Sequence, residues 1–387
     1  MSTPLTGPLP ARPSEWNVDL ASDVPAQIGP RRPRPQRTWF RWSLASLPVA
    51  PLLLLGMLLG PQGLFILTPS ALAALDPALP VALATLGGLV GLMPGLQGPL
   101  RRALGTASMT ALVTALFVAA GFMAGAMATG EQSRVFVWLL PLVLGISAAS
   151  SLIVPVQRLV NPWAGPTATA ESEALVSVIA GGLLLAFVRQ GTFVWSVLWL
   201  FQACAVVTVL GLSGFLMLRR SASDAERRVF AVATLLLVGG AADSLSFSAL
   251  LGGVCAGLLW KAGGGPSRDS LQRDMLYALP PLLALVLVVA GARVQLTSLA
   301  LGLAAAYACL RTLGRVAAWA LLTRFGPRGT RSGGLSLLSP GVFGIAFALN
   351  AFRALGSDMS IAISVVVVGT ILSEVTALFV TPRGGAA

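Results

Sequence analysis

The chain has no histidine, a single lysine at Lys261 and three cysteines among its 387 residues. Without histidine, neither a Ser-His nor a Cys-His nucleophile pair can be assembled. The cysteines lie inside apolar stretches, without the spacing of a metal site or of a disulfide framework. The HExxH, P-loop and GxGxxG patterns are absent as well. The sequence therefore predicts no bound metal, no cofactor and no enzymatic activity.

Charged residues are scarce, because they make up 10% of the chain while hydrophobic residues make up 56%. The mean hydropathy is +0.83, and soluble domains carry about 25% charged residues. The composition therefore indicates a membrane protein. The net charge of +12 comes almost entirely from arginine. These arginines stand between apolar segments, which favours a role in membrane orientation and gives no indication of nucleic acid binding.

The apolar segments approach the length of about 20 residues that a membrane-spanning helix needs. They predict an all-α polytopic membrane protein with about twelve transmembrane helices. The predicted spans are 42–60, 77–97, 104–129, 134–157, 172–190, 193–218, 228–243, 246–261, 275–292, 297–324, 333–355 and 358–380. Arginine is concentrated in alternate loops, as in RRSASDAERR at 219–228. This alternation predicts a multi-pass protein of the cell inner (plasma) membrane with both termini in the cytoplasm.

The two ends of the chain differ in composition from the apolar region. Residues 1–38 are polar and rich in proline and arginine, which predicts a disordered cytoplasmic tail. The basic run RRPRPQR near its end is suited to contact with anionic membrane lipids. Residues 39–380 form the predicted transmembrane domain, and residues 381–387 form a short C-terminal tail.

Two of the apolar segments contain a serine-rich interruption with a proline. They are SAASSLIVPV at 147–156 and SLLSPGVFGI at 336–345, which occupy similar places in the two halves of the chain. Pro155, Pro340 and Gly341 are the predicted breaks. Paired interruptions of this kind predict an inverted-repeat core with two crossing interrupted helices, the arrangement in which many secondary transporters bind their substrates.

Several segments resemble the monovalent cation–proton antiporter superfamily, which has the sodium/proton exchanger fold. In chain order they are LLLGMLLGPQGLFIL (53–67), SFSALLGGVCAGLLW (246–260), RTLGRVAAWALLTRFG (311–326), SPGVFGIAFAL (339–349) and ILSEVTAL (371–378). The resemblance implies a homodimer that exchanges Na⁺ or K⁺ for H⁺ by alternating access. It also implies that Arg311 is the basic residue that supports the ion site, and that Glu374 occupies a common acidic position.

The chain departs from this family at the acidic pair on which cation–proton exchange depends. In the matching helix, 171–187, that pair would fall at Val176-Ser177 or at Val178-Ile179, and no carboxylate occurs between Glu173 and Asp224. Either the acidic role has moved, or the chain has the fold without the usual exchange. Two alternatives therefore stay open: a transporter of an anion or neutral solute with the same fold, and a non-transporting antiporter-like subunit of a membrane complex.

Seven residues are candidates for an ion or proton site. They are Ser150, Ser151, Glu173, Ser177, Asp243, Arg311 and Glu374. The serines suit a polar path or close helix packing. Arg311 suits the support of the crossing helices or the binding of an anion, and its structural interpretation is a side chain that reaches the membrane interface from a helix end. Each carboxylate also has a structural interpretation.

For Glu173, the structural interpretation is an acid in the first turn of a helix capped by Thr169. For Asp243, it is a cap of the next helix or a position on the outer aqueous surface. For Glu374, it is pairing with an arginine or with a polar neighbour on another helix.

Overall fold

The computed structural model describes residues 49–92, 100–130, 133, 135–150, 168–190, 193–221, 223–262, 266–325 and 341–380. The described residues form α-helices and contain no strand. The helices are α1 (Val49–Leu59), α2 (Pro69–Leu75), α3 (Ala78–Leu92), α4 (Leu100–Ala128), α5 (Leu140–Ala149), α6 (Ala168–Gln190), α7 (Phe193–Arg220), α8 (Asp224–Ser244), α9 (Ala249–Ala262), α10 (Pro266–Ala292), α11 (Ser298–Phe325), α12 (Val342–Leu355) and α13 (Ser360–Val380).

Each of the twelve predicted apolar segments overlaps one of these helices, and α2 is an additional short helix that the hydropathy pattern did not predict. Among the described residues, three helical stretches are long and apolar enough to cross a membrane: Ser108–Ala128, Val194–Arg220 and Ser298–Arg324. A fourth span arises if α2 and α3, which are bent by 49° relative to each other, are taken together. The protein is therefore a multi-pass membrane protein, and the number twelve stays a prediction. The predicted tails, 1–38 and 381–387, lie outside the described residues.

The helices pack in two groups, and the first group, here called the scaffold, consists of α1, α3, α7, α8, α9 and α10. Its tightest contact joins α3 to α9, where glycines allow the two backbones to touch. A Cβ atom on Gly87 would lie 2.0 Å from the carbonyl oxygen of Leu250, and one on Gly253 would lie 1.9 Å from that of Ala84. Close approach through small residues is how helices associate without a hydrophobic driving force in lipid.

The second group, here called the core, consists of α4, α5, α6, α11, α12 and α13. Its centre is the contact between the end of α5 and the start of α12. Gly344 makes that contact possible, since a Cβ atom there would lie 2.2 Å from the carbonyl oxygen of Ser147. The core therefore brings together two segments that are almost 200 residues apart in the sequence.

Helices α5 and α12 are the described parts of the two segments that are predicted to be interrupted. Helix α5 follows a π-helical turn, Val135–Leu139, and ends at Ala149, after which Ser150 is extended (φ −82°, ψ 133°). Helix α12 begins at Val342 after the extended residue Gly341 (φ −84°, ψ 142°). The other predicted breaks, Pro155 and Pro340, and the candidate Ser151 lie outside the described residues.

Candidate functional site

Two arginines one turn apart on α11 reach the end of α5. Arg311 and Arg315 are 2% and 5% exposed. Arg311 donates from Nε to the carbonyl oxygen of Ala148 (3.4 Å) and from Nη2 to that of Ser150 (3.3 Å). Arg315 donates from Nη2 to the carbonyl oxygens of Ala148 and Ala149. The last carbonyls of a helix have no partner within it and carry partial negative charge, so the guanidinium groups satisfy and neutralise the end of α5.

Glu173 on α6 is completely buried and completes this group. Its Oε2 atom lies 2.9 Å from Nη1 of Arg315, and its Oε1 atom accepts a hydrogen bond of 2.5 Å from the hydroxyl of Thr110 on α4. The interpretation of Glu173 as a first-turn acid behind a Thr169 cap is wrong. Helix α6 begins at Ala168, before Thr169, and Glu173 lies in its second turn and faces the protein interior.

The burial of these charges requires mutual compensation, because an isolated ion loses several kcal/mol of hydration on leaving water. Among the described residues, Glu173 is the one carboxylate that is fully buried, and it lies beside two buried guanidinium groups. The carboxylate pairs directly with one guanidinium group, and two guanidinium groups beside a single carboxylate can attract an anion. The arrangement therefore has the chemical means of an ion site.

Three buried polar atoms near this group have no hydrogen-bond partner within the described part of the chain. They are the hydroxyl oxygens of Thr114 and Ser150 and Nε of Arg315. Thr114 follows Thr110 by one turn on α4, and its Cα atom lies against Gly314 of α11. Buried polar atoms without protein partners are the usual positions of internal water or of a small ion. These three atoms are therefore polar contacts that the site offers within the described part of the chain.

The structure brings Ser150, Glu173 and Arg311 together but places the other candidates differently. Ser177 is buried one turn after Glu173, and its hydroxyl donates to the carbonyl oxygen of Ala174 in the same helix (3.0 Å). Its donor is therefore occupied, while its oxygen can still accept a hydrogen bond.

Asp243 and Glu374 both lie away from the group around Arg315. Asp243 is half-exposed near the end of α8 and accepts a hydrogen bond of 2.6 Å from Nη2 of Arg353. Glu374 accepts a hydrogen bond of 2.8 Å from the backbone N–H of Ala50 at the start of α1. The expected cap and the expected side-chain partner are thus replaced by an interhelical ion pair and by a contact with backbone.

Three residues of the site were not predicted from the sequence: Thr110, Thr114 and Arg315. The available signal was their spacing. Thr110 and Thr114 are four residues apart on α4, and Arg311 and Arg315 are four residues apart on α11, so each pair lies on one face of its helix. Polar pairs at helical spacing inside apolar segments predict a shared buried surface.

Comparison with known proteins gives a likeness of fold. No family model matches the sequence, and no curated protein is similar to it. Among solved structures, the chain is similar to the sodium proton antiporter MjNhaP1 from Methanocaldococcus jannaschii at pH 8, with a TM-score of 0.56 and 16% sequence identity. The match covers 85% of this chain and 89% of that one. The protein therefore shares the fold of a sodium/proton antiporter, as the sequence resemblance predicted.

Proposed function

We propose that the protein is a secondary membrane transporter of the cation–proton antiporter type, which exchanges Na⁺ or K⁺ for H⁺ by alternating access. The observation that carries this proposal is the buried carboxylate of Glu173 beside the end of an interrupted helix. The shared fold with a sodium proton antiporter supports it. Glu173 then takes the role of the acidic pair that the sequence lacks on α6.

In this mechanism, the two oxygens of Glu173 have different tasks. Arg315 holds Oε2 and fixes the carboxylate against the end of α5. Oε1, which Thr110 contacts, is the oxygen that takes a proton or a cation in turn. The hydroxyl of Ser150, which has no hydrogen-bond partner among the described residues, is a further oxygen ligand for a cation in this proposal. Proton and cation exclude each other because they use the same carboxylate oxygen.

The proposal includes the organisation predicted for this type of transporter. The core moves against the scaffold in a homodimer of about twelve spans per chain, within an inverted-repeat architecture. In this proposal the protein lies in the cell inner (plasma) membrane with both termini in the cytoplasm, an orientation that the alternation of arginine-rich loops supports. The grouping of the helices into scaffold and core supports such a movement.

Proteoliposomes that contain the purified protein and a pH-sensitive dye test this function. A proton gradient is imposed, and Na⁺, K⁺ or Li⁺ is added in turn. We expect one or more of these cations to collapse the gradient with the parent protein and not with Glu173→Gln, which keeps the shape of the side chain. The matched control is Glu374→Gln, because the carboxylate of Glu374 contacts the start of α1. This variant should still exchange cations for protons. If the parent protein is folded and no cation changes the dye signal, the proposal is rejected.

A second candidate is a transporter of a small anion with the same fold. It is favoured by the two buried guanidinium groups that lie beside a single buried carboxylate. In the same proteoliposomes, uptake of a radiolabelled anion that persists in Glu173→Gln and disappears in Arg311→Gln supports this candidate. Folded protein with neither activity is expected of a non-transporting subunit.

A further inference from the structure

Four charged side chains meet at the end of the bundle where α8 and α12 terminate. They are Asp76, Asp243, Arg293 and Arg353, and they are here called the four-charge cluster. Arg353 donates from Nη2 to Oδ1 of Asp243 (2.6 Å) and from Nη1 to the carbonyl oxygen of Asp76. Arg293 donates to the carboxylate of Asp76. Two positive and two negative charges give a neutral cluster.

The hydrogen bonds of Arg353 cross the boundary between the scaffold and the core. Asp243 lies on the scaffold helix α8, Arg293 directly follows the scaffold helix α10, and Asp76 lies at the bend between α2 and α3. Arg353 lies on the core helix α12. The guanidinium of Arg293 also lies over the ring of Phe352, with 5.0 Å between Cζ and the ring centroid. The cluster therefore fastens the end of α12 to the scaffold.

A small cavity lies next to the cluster at the same boundary. Its volume is about 50 Å³, and Asp243 and Arg353 line it together with Leu83 and Asn350. That volume has room for one or two water molecules. Asn350 is 5% exposed and donates from Nδ2 to the hydroxyl of Ser248 (3.0 Å), which is a second contact between α12 and the scaffold. Arg353 thus lies one turn further along α12 than the buried Asn350.

The cluster differs from the buried ion pair in its access to water. The side chains of Asp76 and Asp243 are 39% and 50% exposed, whereas those of Glu173 and Arg315 are 0% and 3% exposed. Half-exposed carboxylates can exchange an arginine for water at small cost, whereas a fully buried pair cannot. A contact that must break and re-form in each transport cycle therefore has to be partly exposed to water, as the four-charge cluster is.

We propose that the four-charge cluster is a latch that closes one side of the transport route and opens when Arg353 leaves Asp243 and Asp76. The inference rests on the proposed function, since it assumes that the core moves against the scaffold. The latch lies on the membrane face opposite the start of α8, where Arg227 and Arg228 lie. The cavity that Asn350 and Arg353 line is the place at which water enters when the latch opens.

The accessibility of an introduced thiol tests the latch without any transport measurement. Asn350→Cys is made in a chain whose Cys204, Cys255 and Cys309 are replaced by alanine, and sealed vesicles are treated with a membrane-impermeant maleimide from either side. Leu83→Cys, which lines the cavity from α3 and leaves the hydrogen bond of Asn350 intact, is a second reporter. The labelling rate of each reporter is then compared with and without changes in the latch.

We expect Arg353→Gln to speed labelling about tenfold, and from one side of the membrane alone. The variant loses a partly exposed ionic contact that holds the closed state, so the equilibrium shifts towards the open state. If this variant does not fold, Asp243→Asn takes its place with the same expected result. The matched control is Arg219→Gln on α7, an exposed arginine that lies over Phe215 outside the cluster. Its labelling rate should equal that of the parent.

An unchanged rate in Arg353→Gln and Asp243→Asn overturns the latch, as does equal acceleration from both sides or in Arg219→Gln. The outcome is independent of the exchange assay. Faster one-sided labelling supports the latch even if no cation collapses the proton gradient. An unchanged rate overturns it even if exchange is strong.

Discussion

Removal of either partner of the ion pair between Glu173 and Arg315 should destabilise the core strongly, and a double-mutant cycle measures how far the two side chains depend on each other. Its side chains are 0% and 3% exposed, and 2.9 Å separates Oε2 from Nη1. Exposed ion pairs contribute about 0–1 kcal/mol, but removal of one partner from a buried pair costs about 3–5 kcal/mol, because the other charge is left in an apolar interior. We therefore expect Glu173→Met and Arg315→Met each to lower the free energy of unfolding by about 3–5 kcal/mol.

The double variant carries the decisive comparison. Replacement of both partners by apolar side chains of similar size is often nearly neutral, because no buried charge remains. Arg315 also satisfies carbonyl oxygens at the end of α5, so part of its cost should persist in the double variant. We expect the double change to cost less than the sum of the single changes by about 3 kcal/mol.

Reversible unfolding in mixed micelles, followed by the fluorescence of the nine tryptophans, provides the free energies. The control is Arg219→Met, because Arg219 is exposed on α7 and contacts the ring of Phe215. It should change the stability by about 0.5 kcal/mol or less. Additive costs in the double variant, or single costs near those of Arg219→Met, would refute the argument that the pair is buried and mutually dependent.

Two further changes test the surroundings of this pair. Thr110→Val removes the hydroxyl that donates to Glu173 and should lower the free energy of unfolding by about 1.5–3 kcal/mol. Thr110→Ser keeps the donor and is the control. Similar unfolding curves for both variants would contradict the role of the hydrogen bond. Gly344→Ala should lower the thermal unfolding temperature, because its Cβ would lie 2.2 Å from the carbonyl oxygen of Ser147. The control is Gly125→Ala, where no atom lies within 4 Å of the added Cβ and the unfolding temperature should not fall. Equal unfolding temperatures for the two variants would show that α5 and α12 do not touch at Gly344.

The sequence predicted the helices well because each apolar segment carries its own signal. Loss of water from apolar side chains and closure of backbone hydrogen bonds within one segment both depend on local composition. The predicted segment 297–324 corresponds to α11, Ser298–Phe325. Gly341 was predicted as a break, and the structure shows it as the extended residue before α12. The short helix α2 escaped prediction because its polar neighbours interrupt the apolar pattern.

The partners of the charged residues were harder to predict. The acids on α6 were visible in the sequence, but the start of that helix decided whether Glu173 faced water or the interior. An error of a few residues in this boundary reversed the interpretation. Asp243 pairs with Arg353, which is 110 positions away in the sequence. No local sequence pattern indicates a partner that far along the chain.

The sequence by itself determined that the chain is an α-helical membrane protein with two interrupted segments and scarce internal charge, because these properties follow from composition and from short-range backbone chemistry. Only the tertiary structure decided that Arg311 and Arg315 complete the end of α5, that Glu173 joins Arg315, and that Arg353 fastens α12 to the scaffold. The physical reason is that a buried charge needs a partner within a few ångströms, and helix packing alone selects which distant residue comes that close.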